Sequence, residues 1–402
     1  MYIVFKDYTP IVFLIIMLFE TDIAGTVVWF VLFFALIFLY PRLMLSQLIY
    51  KLEQSAVRLE TMSQDAIKIT SRKVDKSADK ELKNKIEQFS DFFVVEPSSI
   101  DPYGLVKKID HTIRGMETRF DEFVDEVALT KSYDEKQEIN YGIRANIGLR
   151  QISKIVRHYV ELAKKFKNLQ IAMILQMQLP LIEKIAESEI KGTEAFVNGW
   201  PIGDSIGPLA AASLIESSKE IAEDIMAGEA VIEGRKCFIM KARGPSPHLG
   251  RDDEAIEKIM SKNKISRVIT IDAAQKLEGE KSGSVAEGVG FAMGGWGQRE
   301  MIENSLMQKK MPIDSIVVKV GMTEAIIPMT KDIYDSVPRV HEFVKRAVKR
   351  TKKNEKVIII GVGNSSGIGN SKKETEGVKK IVEELDKKKK AEEEKKKKGG
   401  WF

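Results

Sequence analysis

The sequence predicts a membrane-anchored α/β protein: an N-terminal transmembrane helix, a helical domain, and an α/β domain built on parallel strands. Three observations carry this. Ile23 to Tyr40 is an apolar run relieved only by Gly25 and Thr26, which matches the ~20 residues a spanning helix needs. Tyr103 to Ile190 repeats apolar residues at helical spacing. From about residue 192 onward, short β-branched runs end in glycine-rich turns that lead into helices, the succession that builds α/β domains.

The elements follow in order. Residues 1–45 form the anchor, with one span over Ile23 to Tyr40. Ile11 to Phe19 is too short to span alone, and as a second, tilted helix it would make a hairpin. Glu20 and Asp22 precede the long run, where a signal peptide would carry bases, and no small-residue cleavage site follows. Arg42, Lys51 and Arg58 follow it. The excess of bases on that side leaves the rest of the chain in the cytoplasm, at the cell membrane. Residues 46–90 read as a helical stalk, with a mobile linker near Ser71 to Lys85. Residues 91–191 read as a helical domain opening on an extended stretch, Asp91 to Pro102. One core stripe there is Ile109, Ile113, Met116, Phe120 and Phe123, and another is Ile147, Ile152, Ile155, Tyr159 and Leu162. Residues 192–370 form the α/β domain, and 371–402 a charged helical tail.

Composition excludes some functions. Lys and Arg number 63 against 58 Asp and Glu, too small an excess for a nucleic-acid surface. The single cysteine, Cys237, excludes an intramolecular disulfide and sits in an apolar run where a buried thiol is inert.

Two carboxylates attract attention. Ala195 to Val197 reads as a strand that ends at Asn198-Gly199. Gly203 and Gly207 then bracket Asp204, and Pro208 opens an Ala-rich helix. At such a turn ligands collect in parallel α/β sheets, although an Asp there also caps helices. Val268 to Ile271 is a second strand, with Asp272 at its carboxyl end. Two close carboxylates can divide acid and base roles, because both cannot ionise cheaply. Lys276 stands four residues on and could steady an oxyanion. Arg251, at the start of a helix, could hold an anion. So could the glycines around Gly294, Gly295 and Gly297, together with Asn198 and Asn364. A third arrangement would use Asp204, Asp272 and His248 as ligands of a divalent metal.

Three stretches carry a resemblance: Asp204-Ser-Ile-Gly-Pro-Leu, Ile271-Asp-Ala-Ala, and Gly294-Gly-Trp-Gly-Gln-Arg-Glu. Over about 170 residues they resemble the spore germination protease and the related hydrogenase maturation proteases. That resemblance implies a phosphorylase/hydrolase-like three-layer fold with Asp204 and Asp272 as catalytic or metal-binding residues. One departure argues against nickel: no histidine lies between His248 and His341, and Gln298 stands near the expected place. The chain as a whole resembles an uncharacterised archaeal family filed as a domain of unknown function, a label that supplies no activity.

These readings give a membrane-anchored cytoplasmic peptidase-like hydrolase using an Asp dyad, with no obligatory cofactor. The alternative is a non-catalytic tethered binding or scaffold protein whose crevice takes a peptide or a small anionic ligand. The bilayer is the expected partner, nucleic acid is not, and a homo-oligomer is compatible with both.

Overall fold

A computed structural model describes residues 23–94, 104–294 and 298–399. The chain falls into two compact units. One comprises residues up to Glu60 with Ser153–Glu183, the other Thr61–Ile152 with Lys184–Phe402.

Helix α1 spans Ile23–Val74 and runs straight through Pro41. It is apolar and long enough to cross a membrane by length and composition, and none of its most apolar window is buried. Phe30, Phe34, Leu36 and Phe38 all stand open, a contiguous apolar surface of the kind water does not tolerate. Within the first unit the helix turns polar. Glu53 and Glu60 pair there with Arg157 on α4 (Tyr133–Phe166), and Lys164 joins Glu53. The expected stripe through Ile155 and Tyr159 is not the buried one, since both are exposed while Val156, Val160 and Ala163 are buried. Two apolar rows share this helix, and packing chose the row of smaller side chains.

In the second unit the expected linker is mostly helical: α1 reaches Val74, and α2 (Lys80–Phe89) starts after Asp79 accepts the Leu82 N–H. The segment 92–94 lies outside helix and strand, and residues 95–103 lie outside the described ones. Helix α3 (Leu105–Val127) buries Phe120 and Val124 against Ile139 and Ile143 of α4. Helix α5 covers Leu169–Val197. Ala195 to Val197, expected to end a strand, is therefore part of the last turn of a helix. Gly199 takes φ +61, and Trp200 N–H returns to Ala195 O at 2.9 Å, a glycine-terminated helix end.

Among the described residues, seven strands form one mixed sheet in the order β1-β2-β3-β7-β4-β6-β5. They are β1 (Ser218–Ala222), β2 (Ile225–Ile232), β3 (Arg235–Ala242), β4 (Ile265–Gln275), β5 (Val285–Val289), β6 (Ile313–Val320) and β7 (Lys356–Gly361). The central four run parallel, and β1–β2, β2–β3 and β5–β6 pair antiparallel. Edge strands β1 and β5 lie in stretches too polar or too glycine-rich to read as strands. The crossover from β3 to β4 carries α7 (Asp252–Lys262) past β7 on one face. The return from β6 to β7 carries α10 (Val337–Lys349) on the other. The stretch from Thr330 to Thr351 carries two helices, α9 (Lys331–Tyr334) and α10.

Alternation sorts the β-branched residues between the layers. Ile239, Ile269, Ile271 and Ile359 pack with α10 and with α6 (Ile206–Ala212), whereas Met240, Val268, Ile358 and Ile360 pack with α7 and α8 (Gln298–Gln308). The tail divides into α11 (Lys372–Thr375) and α12 (Val378–Gly399).

Candidate functional site

The carboxyl edge of the sheet holds the turn that carries Asp204. Gly203 N–H bonds Ile327 O at 3.1 Å, and Asp204 N–H bonds Ala325 O at 2.8 Å. This stitches the turn to the segment after β6. A Cβ on Gly203 would lie 2.1 Å from Glu324 O, and one on Gly207 would lie 2.1 Å from Val362 O and 2.5 Å from Ile271 O. Both glycines thus answer to close backbone approach, and α6 presses directly onto the ends of β4 and β7. Asp204 does not spend its side chain on capping that helix. Its Oδ2 accepts the Asn364 N–H at 2.7 Å.

Asp272 approaches this turn from β4. Val362 N–H donates to Ile271 O at 2.8 Å, so the peptides that carry Asp272 and the Asn364 loop are joined beside each other. Asp272 is 7% exposed, and its Oδ1 accepts the Ala273 N–H at 2.7 Å. Burial first, then the negative charge of Asp204, pushes its carboxyl up to about 8. Burial also raises Asp204, against the Asn364 hydrogen bond. Asp204 remains partly exposed. Burial thus pushes both carboxyls toward the protonated form, and the two acids are coupled, since the charge of Asp204 raises Asp272 further.

A third carboxyl contributes. Asp252 opens α7, adds to the negative field at Asp272, and is itself raised by burial and by Asp253 to about 7. Its Oδ1 is buried without a hydrogen-bond partner. In sequence Asp252-Asp253-Glu254 is an ordinary acidic first turn, favourable to the helix dipole, and nothing in its spacing reveals a neighbour on β4.

Several expected residues lie elsewhere. Lys276 does not join the dyad: its Nζ donates to Glu280 O at 3.1 Å. Four residues of extended strand separate it from Asp272 by roughly 13 Å, so adjacency in sequence misled. Arg251 is not free for an external anion, because its Nη2 holds Asp110 at 2.7 Å and Asp253 at 3.1 Å. Asn198 is exposed and donates to Glu194 O at 2.7 Å within its own helix end. His248 is buried away from the dyad, with Nδ1 3.1 Å from Ser246 O and Nε2 3.2 Å from Tyr133 Oη. Among the described residues no three metal-capable side chains converge, so Asp204, Asp272 and His248 do not form a ligand set. A Cβ on Gly294 would meet nothing within 4 Å, so no close approach explains that glycine. Gly295 and Gly297 lie outside the described residues.

Sequence reasoning missed Lys241. It ends β3 fully buried, its Nζ donating to Ala242 O at 2.6 Å and to Asn370 Oδ1 at 3.0 Å. Burial lowers the amine to about 7. Asn370 also brackets Gly244 through its N–H and its carbonyl, so this lysine ties the β3 exit loop to the β7 exit loop. Alternation along Cys237 to Met240 was the available signal, because it places Lys241 on the face of Cys237 and Ile239.

Comparison with known families finds two matches along the chain. Residues 26–199 match the family model described as the N-terminal domain of a protein of unknown function (DUF1512), and residues 202–369 match the domain of unknown function (DUF1512) C-terminal. No curated protein and no solved structure matches the chain.

Proposed function

The chain belongs to the DUF1512 family, carrying its N- and C-terminal domains in tandem, and from that premise we propose a membrane-anchored peptidase-like hydrolase that uses Asp204 and Asp272 on a water molecule. The observation that carries the reading is the coupled pair: two carboxyls, both raised by burial, with the charge of Asp204 raising Asp272 further. Asp204 takes a proton from the attacking water as Asp272 gives its own to the substrate carbonyl oxygen, and the two roles reverse on collapse of the tetrahedral intermediate. The resemblance of these segments to the spore germination and hydrogenase maturation proteases supports the same assignment. The apolar run of α1 forms the anchor, and the bases after it, Arg42, Lys51 and Arg58, orient the bulk of the chain to the cytoplasm.

The test is a peptidase and esterase screen on the full-length protein in detergent. The reading expects a hit whose kcat falls by about 10³-fold or more in Asp204→Asn and Asp272→Asn. Full activity in Asp272→Asn sinks it. One observation favours a second reading, a tethered binding protein: Lys276 lies away from the dyad, so the oxyanion stabiliser expected from sequence is not supplied by that residue. In that case the same variants alter ligand affinity, and no turnover is found with any substrate.

A further inference from the structure

A polar recess opens where α3 and α4 meet the β1–β2 turn and the start of α7, and its lining includes Glu117, Asp121, Tyr141, Arg144, Asp224 and Arg251. Its volume is about 60 Å³, room for roughly four to six water molecules or as many heavy atoms. Arg251 is closed by Asp110 and Asp253, Asp121 accepts from Asn140 and Asp224 from Tyr133, but Glu117 and Arg144 face this space without closing on one another. Glu117 makes no hydrogen bond or ion pair among the described residues, and burial raises its carboxyl against the pull of Arg144 and Arg251. Arg144 lies over Phe120 at 4.9 Å and over Tyr141 at 4.8 Å. Its Nε is held by Asn140 at 2.8 Å, while its terminal nitrogens bond to no described residue. Tyr141 is 9% exposed, and its hydroxyl has no partner among the described residues. Arg251 has Nε and Nη1 buried without hydrogen-bond partners.

Surface charges that merely balance each other would form an ion pair. Here an acid and a base are each pinned by packing and left apart, which is the arrangement a ligand completes. A simple anion would meet Glu117, Asp121 and Asp224. A simple cation would meet Arg144 and Arg251. A molecule carrying both charges on a short backbone satisfies both ends. We propose that this recess binds a small zwitterion of the α-amino-acid type, with its ammonium toward Glu117 and Asp121 and its carboxylate toward Arg144. The volume limits the ligand to the size of glycine or alanine. The site does not depend on the hydrolase reading, because none of its residues belongs to the Asp204–Asp272 pair. It is nevertheless connected to that pair, since Arg251 precedes Asp252 and holds Asp253.

The test is titration calorimetry on the full chain in detergent with glycine and L-alanine, against acetate, methylamine and L-tryptophan. Saturable binding of the two small amino acids is expected, with acetate and methylamine at least about tenfold weaker because each loses one charged contact. Tryptophan, too large for the recess, is expected not to bind. Glu117→Gln and Arg144→Gln should each weaken glycine by about tenfold. Tyr141→Phe, which keeps the ring and so the packing, should weaken it several-fold and guards against misfolding of the other two. No saturable binding of glycine or alanine overturns the proposal. So does equal binding of methylamine or acetate, or undiminished binding in folded Glu117→Gln and Tyr141→Phe proteins.

Discussion

Asp204 and Asn364 are joined through a side chain and a backbone: Oδ2 of the acid accepts the Asn364 N–H at 2.7 Å, 160 residues away in sequence. The residue between Val362 and Asn364 makes this possible. Gly363 adopts φ +118, and a Cβ there would lie 2.4 Å from Asp204 O and 3.1 Å from its Oδ2.

Gly363→Ala should therefore both strain the backbone and push Asp204 off its seat. A loss of about 2 kcal/mol or more is expected in denaturant unfolding. Gly377→Ala, whose Cβ would meet nothing within 4 Å, should change stability by about 1 kcal/mol at most and serves as the control.

The enclosed acid sets a pH dependence of known sign. Asp272 rises from an ordinary 3.8 to about 8 on folding, so between those values the folded state holds the extra proton. Stability contributed by this group is full below about 4 and declines as pH rises toward 8. Asp272→Asn cannot ionise. Its midpoint temperature should fall less between pH 5 and pH 9 than that of the natural protein, with a difference at pH 9 of at least about 1 kcal/mol. Parallel curves for the two proteins would contradict the assignment.

Lys241 tilts the profile the other way at higher pH. Its amine falls from 10.5 to about 7 on folding, so the unfolded chain binds the extra proton between those values and stability rises with pH across them. Lys241→Met keeps the chain length and removes the charge. It should flatten the rise between pH 7 and pH 10 seen in thermal melts, and at pH 6 it should equal or exceed the natural protein in stability.

Arg251 tests how buried charge is held. Its guanidinium is 4% exposed and pairs with Asp110 and Asp253. Arg251→Leu leaves the enclosed Asp253 without its partner, while Asp110 keeps Arg114 at 3.1 Å, and should cost about 3 kcal/mol in chemical unfolding. The double variant Arg251→Leu with Asp253→Asn should recover part of that loss, which additive behaviour would not give.

Much was legible in the residues themselves. The apolar run from Ile23, the amphipathic row through Phe120 and the β-branched run Val268 to Ile271 follow from local hydrophobicity, which acts over a few residues. The carboxylates Asp204 and Asp272 stood out for the same reason, each being polar beside an apolar run, although β4 continues past Asp272 to Gln275. What local pattern could not supply was distance. Lys276 is four positions from Asp272 and out of reach along an extended strand, while Asn364 is 160 positions from Asp204 and bonded to it. Asp252 became a neighbour of Asp272 because the crossover helix begins at the same edge of the sheet. Arg251 was neutralised from within by Asp110 on a helix far upstream. Sequence by itself fixed which groups carry charge and which segments bury their faces. Tertiary structure alone decided which charges share an enclosure, because burial and Coulomb coupling depend on separation in space and on excluded water, and neither is written in the order of the chain.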